Sequence, residues 1–160
     1  MPDFTQTITE SWTSSENSST VNSTQSVTIS NITDVFKRVL TITADQDAII
    51  ASFDTNVADG AIVNLDIENV KYIRVTNLDS DAVEINIAVD QNNDDSADGN
   101  FSYSLTENQS LIFWNASNCV NVHDSSGSVE VVAGDITSIT ANPLSNAGKV
   151  EIVAASTVVS

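Results

Sequence analysis

Positive charge is scarce in this chain: five Lys and Arg stand against 22 Asp and Glu in 160 residues, a formal net charge of −17. Phosphate-directed nucleic-acid binding needs clustered cations, and a surface this acidic repels a polyanion, so no nucleic-acid partner is expected. Anionic membrane surfaces are disfavoured for the same reason. One cysteine, Cys119, cannot close an intramolecular disulfide, and one histidine, His123, leaves little from which to build a zinc site or a His-based catalytic apparatus. No catalytic, cofactor-binding or metal-ligating residue is therefore assigned, and no cofactor is expected. Also missing is any run approaching the roughly 18 to 20 apolar residues that span a bilayer. The start, Met1-Pro2-Asp3-Phe4, has neither a basic n-region nor an apolar h-region, which predicts no signal peptide and folding in a cytosol. The length suits one domain, large enough for an ordinary hydrophobic core. Abundant Asp, Ser, Thr and Asn with little Lys fit a hydrated surface and a saline habitat.

What is present is alternation with a period of two. In Phe4 to Trp12 the large apolar residues fall on even positions, predicting a strand with one buried face. Ser14 to Ser26 is polar except for Val21 and predicts a loop or arm that orders only against a partner. Alternation resumes at Val27 and Ile29, and again at Phe36, Leu40 and Ile42, where Arg38 is the one charged interruption. Ala61, Val63, Leu65 and Ile67 form one stripe; Val83, Ile85, Ile87 and Val89 form a second. Shorter strands are predicted at 48–53, 71–76, 101–105, 110–114, 120–122, 128–132, 136–140 and 150–154. Turn formers such as Asp59-Gly60 and Ser125-Ser126-Gly127 separate them, and Pro143 is placed in a loop over 141–146. No window sustains helical spacing for three turns. The expected fold is all-β, an antiparallel β-sandwich of jelly-roll type, with residues 1–34 as an N-terminal strand and polar arm and 35–160 as the single sandwich domain.

Few segments look like sites. Asp90, Asn92, Asp94 and Asp98 occupy positions one, three, five and nine of a calcium-like loop. Position six is Asp95 where a sharp turn wants Gly, and position twelve is Phe101 where a bidentate Glu belongs, so the segment is read as a solvated hairpin tip. His123, next to Asp124, has no nucleophile elbow near it and is read as a strand-end residue; Cys119 is read as a small buried thiol. Adjacent Asp94 and Asp95 do not supply the opposed carboxylates of a glycosidase. Trp12, Tyr72, Tyr103, Phe113 and Trp114 could line a sugar platform. Phe113 and Trp114 are consecutive, however, so on a strand they point to opposite faces, and one of them is expected at an interface. The six Asn-X-Ser/Thr sequons are close to the number that 17 Asn and abundant Ser and Thr produce by chance.

The run Val70-Lys71-Tyr72-Ile73-Arg74-Val75-Thr76-Asn77-Leu78-Asp79, then Val83 to Ile87, then Phe101 to Leu105, resembles small structural proteins of marine tailed phages. A Ser-bearing turn, Glu107 to Ser110, and the segments Phe36 to Ile42 and Lys149 to Ala155 extend the likeness over much of 35–155. Asn108 and Gln109 stand where that group usually carries Gly. The resemblance implies a non-enzymatic virion component on the capsid surface, a decoration or cement protein whose partners are the major capsid protein and further copies of itself. A homo-oligomer is expected, a trimer ahead of a dimer. The alternative is a tail or fibre adhesin with a carbohydrate-binding sandwich.

Overall fold

β-branched and aromatic residues at alternate positions make each segment fit a pleated surface with one dry face. In the computed structural model, which describes residues 2–16, 18–54, 64–90, 97–117, 119–120 and 134–157, the named elements are all strands. They are β1 (Phe4–Thr13), β2 (Thr20–Ile29), β3 (Asp34–Ile42), β4 (Ala48–Asp54), β5 (Asn64–Asp66), β6 (Val70–Asn77), β7 (Val83–Asp90), β8 (Gly99–Leu105), β9 (Ser110–Phe113), β10 (Asp135–Pro143) and β11 (Gly148–Ser156).

The pairing is nested. β3 pairs with β11, β4 with β10, β6 with β9 and β7 with β8, all antiparallel, as if one long ribbon had been rolled up. Rolling brings β11 against β6 and β10 against β7. Two sheets result, ordered β3-β11-β6-β9 and β5-β4-β10-β7-β8. This is the jelly-roll sandwich the alternation predicts, with short β5 added parallel to β4 at one edge. Ile73, Val75, Val150 and Ile152 of the four-stranded sheet meet Ile85, Ile87, Ile139 and Ala141 of the five-stranded one in a single core. Gly148 is required there, since a Cβ would stand 2.9 Å from the Pro143 ring.

Two expectations need correction. Pro143 is not in a loop but ends β10 opposite Val83; β4 stops pairing at Ala141, so no neighbour asks Pro143 for an N–H. Ser14 to Ser26 is not all loop. From Thr20 it forms β2, paired with β1 in a ten-pair hairpin from Phe4↔Ile29 to Thr13↔Thr20. Its polar side chains hold it together from one face: Thr5 bonds Thr28, Thr7 bonds Ser26, Ser11 donates to Asn22 and Thr13 bonds Thr20. Low apolar content was the wrong criterion, because a hydroxyl-rich strand satisfies cross-strand neighbours without a core. Residues 121–122, the predicted segment 128–132, and Ala61 and Val63 of the 61–67 stripe lie outside the described residues; Leu65 falls in β5, Ile67 is buried, and Val120 forms an isolated bridge with Gly134.

Candidate interaction surface

The hairpin meets the sandwich at its base. Phe4 and Ile29 pack on Ile32, Tyr72, Val153 and Ala155, on the side of the four-stranded sheet that faces away from the core. The Phe4 and Tyr72 rings lie 4.9 Å apart. Beyond this base every described residue of the ribbon from Thr7 to Thr28 is exposed or, at Ser14, half-exposed. Ten residues at about 3.4 Å each carry it roughly 30 Å outward.

Its two faces differ. Residues directly opposite in an antiparallel pair share a face, so Thr5, Thr7, Thr9, Ser11 and Thr13 lie with Thr28, Ser26, Thr24, Asn22 and Thr20 on a hydroxyl and amide face. The other face carries Phe4, Ile8 and Trp12 with Ile29, Val27 and Val21, interrupted by Gln6, Glu10, Ser23 and Gln25. Trp12 is 61% exposed, Val21 60% and Ile8 39%. The predicted strand of Phe4 to Trp12 is thus present, but its expected buried face is open to solvent beyond Gln6.

That apolar face continues onto the outer side of the four-stranded sheet. Val35 and Val39 of edge strand β3 are 49% and 47% exposed, with Lys37 between them. Beside them Glu151 accepts from Lys37 Nζ at 2.8 Å and from Arg74 at 2.5 Å. Lys37 above all holds its carboxyl below the usual range; burial opposes this, and Arg74 adds to the lowering. All five cations of the chain lie on this sheet: Lys37 and Arg38 on β3, Lys71 and Arg74 on β6, Lys149 on β11. The five-stranded sheet has none, and its strands carry Asp54, Asp66, Glu84, Asp90 and Asp135. Its outer side holds a shallow polar depression of about 330 Å³ lined by Asp47, Glu84, Asn86, Thr140 and Asn142, where Asn142 donates to Asp47 at 2.7 Å.

The aromatic residues do not gather into a sugar platform. Phe113 points into the core against Phe101, ring centroids 6.3 Å apart, while Trp114 lies outside against Tyr72 at 5.6 Å, the opposite-face arrangement their adjacency predicts. Tyr72 is buried, Tyr103 is exposed on the other sheet, and Trp12 is out on the hairpin. Burial raises the Tyr72 hydroxyl's pKa, with neighbouring Arg74 opposing it. Cys119 is half-buried, with Sγ 3.4 Å from the Ala116 carbonyl; burial first and the Asp135 carboxylate second push its pKa up to about 11, so it is a protonated, unreactive thiol at neutral pH.

At the acidic loop, Asp90 ends β7 nearly buried, directly opposite Asp135, and the Asp98 amide donates to the Val89 carbonyl. Asn92 to Ser96 and His123 lie outside the described residues; among those described no three His, Cys, Asp or Glu side chains gather as a metal site.

Asn77 opens the turn Asn77-Leu78-Asp79 that the sequence predicts, but its burial and its tie to β8 were not foreseen. It is buried, donates through Nδ2 to the Asp81 and Leu105 carbonyls at 2.7 and 2.9 Å, and accepts from the Asp79 amide at 2.9 Å. It closes the β6–β7 turn and ties it to β8. The only signal was its place at the end of an apolar strand, where Asn favours such turns. Asn108 follows with φ 59°, in the left-handed conformation that Asn tolerates better than most side chains.

No family model matches the sequence, and no curated protein matches it. A solved structure from work on Bacillus endospore appendages, described as a family of disulfide-linked pili, is 14% identical, with a TM-score of 0.40, covering 79% of this chain and 87% of that one.

Proposed function

We propose that this chain is a non-enzymatic structural protein of a virion, a decoration or cement protein that stabilises a phage head by bridging major-capsid subunits. The observation that carries the reading is the projecting hairpin. An isolated two-stranded ribbon is marginal in water, and a ribbon that leaves Trp12, Val21 and Ile8 exposed is suited to being covered by a partner. The sequence resemblance supplies the virion, and the acidic surface keeps free copies apart until they dock. Attachment then rests on apolar and strand contacts, with salt acting by screening repulsion between copies. The adhesin alternative has less support, because the aromatic side chains are dispersed over both sheets, the core and the hairpin.

Rebinding to stripped capsids tests the reading. Saturable, stoichiometric rebinding that a chain lacking residues 1–29 cannot reproduce is expected. Specific glycan or cell-surface binding with no capsid affinity would overturn it.

A further inference from the structure

We infer that the partner strand for the hairpin is the open edge of β3 in a second copy of this chain. β3 is bonded to β11 on one side and to no other strand among those described, leaving nine residues of edge. Such an edge pairs with whatever strand fits it. Its outward face reads Val35, Lys37, Val39, and that of β1 reads Ile8, Glu10, Trp12. Each is apolar, charged, apolar at alternate residues, and the charges are opposite. In antiparallel register Trp12 lies beside Val35, Glu10 beside Lys37 and Ile8 beside Val39, joining one ion pair to two apolar cross-strand pairs.

The charge pattern selects this occupant. A lysine on an edge discourages random pairing but favours an acidic strand. The strands of the hairpin carry Glu10 as their one charged residue, whereas the strands of the four-stranded sheet carry all five cations of the chain against Asp34 and Glu151. The edge strands of the five-stranded sheet offer Glu10 no counter-charge: β5 carries Asp66 and β8 has no charged residue. Lys37 is shared with Glu151 within its own chain, and Arg74 also holds Glu151, so Lys37 can turn to a second carboxylate. Continuity supports the same contact: Phe4 and Ile29 already rest on the outer side of their own sheet, and the added ribbon would extend that side of the neighbour's. Reciprocal exchange closes a dimer, and exchange around a ring closes a trimer.

The contact deepens the structural-protein reading, yet fails separately from it. The test uses full-length chains with Cys119→Ser, mixing an Asp34→Cys variant with either Thr13→Cys or Thr7→Cys under mild oxidation. These substitutions leave the six facing residues intact. Opposed residues in an antiparallel pair lie within disulfide reach. Antiparallel pairing places Thr13 opposite Asp34, and a mixed disulfide is expected with Thr13→Cys alone; cross-linking through Thr7→Cys instead would mean parallel pairing and overturn the register. In sedimentation, Glu10→Lys should weaken self-association at least tenfold, and adding Lys37→Glu should restore most of it. A wild-type chain that stays monomeric while rebinding capsids would overturn the contact and leave the decoration reading standing. Association unchanged by Glu10→Lys would overturn it as well.

Discussion

The hairpin and the sandwich are written in the same alphabet and reach opposite ends. Phe4 to Trp12 alternates like Val83 to Val89, but Val83, Ile85, Ile87 and Val89 are buried while Ile8 and Trp12 stand in solvent. Alternation defines which side chains share a face. It does not say whether a second layer covers that face; from β3 onward the two sheets of the sandwich cover each other. The hairpin has only itself.

The largest effect should come from making the same truncation in both regions. Ile152→Ala, in the core, is expected to cost the sandwich about 2 to 5 kcal/mol. Ile8→Ala, on the ribbon, should change the same unfolding transition by less than about 0.5 kcal/mol. Chemical denaturation of both variants reads the contrast, and a matching loss would mean that the hairpin and sandwich unfold as one unit.

Asn77→Ala comes next. Three side-chain hydrogen bonds disappear and buried carbonyls lose donors, so a loss of about 2 to 3 kcal/mol is expected by the same measurement. A smaller effect follows from pH. Glu151 has a folded pKa below its unfolded value, so its contribution is present above the ordinary carboxylate range and is lost as pH falls through the depressed value. Glu151→Gln should cost about 1 kcal/mol at neutral pH and flatten part of the acid limb of a stability–pH profile. Hairpin variants should leave that limb unchanged.

The sandwich was legible because its strands carry β-branched residues at one parity and its turns carry Asn, Asp and Gly. The hairpin's second strand was not, since Ser, Thr and Asn score as loop formers when their cross-strand partners are unknown. Pro143 misled for a related reason: proline is excluded from a strand only where a neighbour needs its N–H. The segregation of cations could not be read in advance either. Lys37, Lys71, Arg74 and Lys149 are scattered along the chain, and only the strand order puts them on one sheet.

The central claim is that the hairpin is a marginal element completed by a partner, and amide hydrogen exchange as a function of concentration tests it most directly. In dilute solution the amides of β1 and β2 should exchange orders of magnitude faster than those of β10 and β11, and should become protected as concentration rises, with β10 and β11 unchanged. Hairpin amides as protected as those of the sandwich at every dilution would contradict the account.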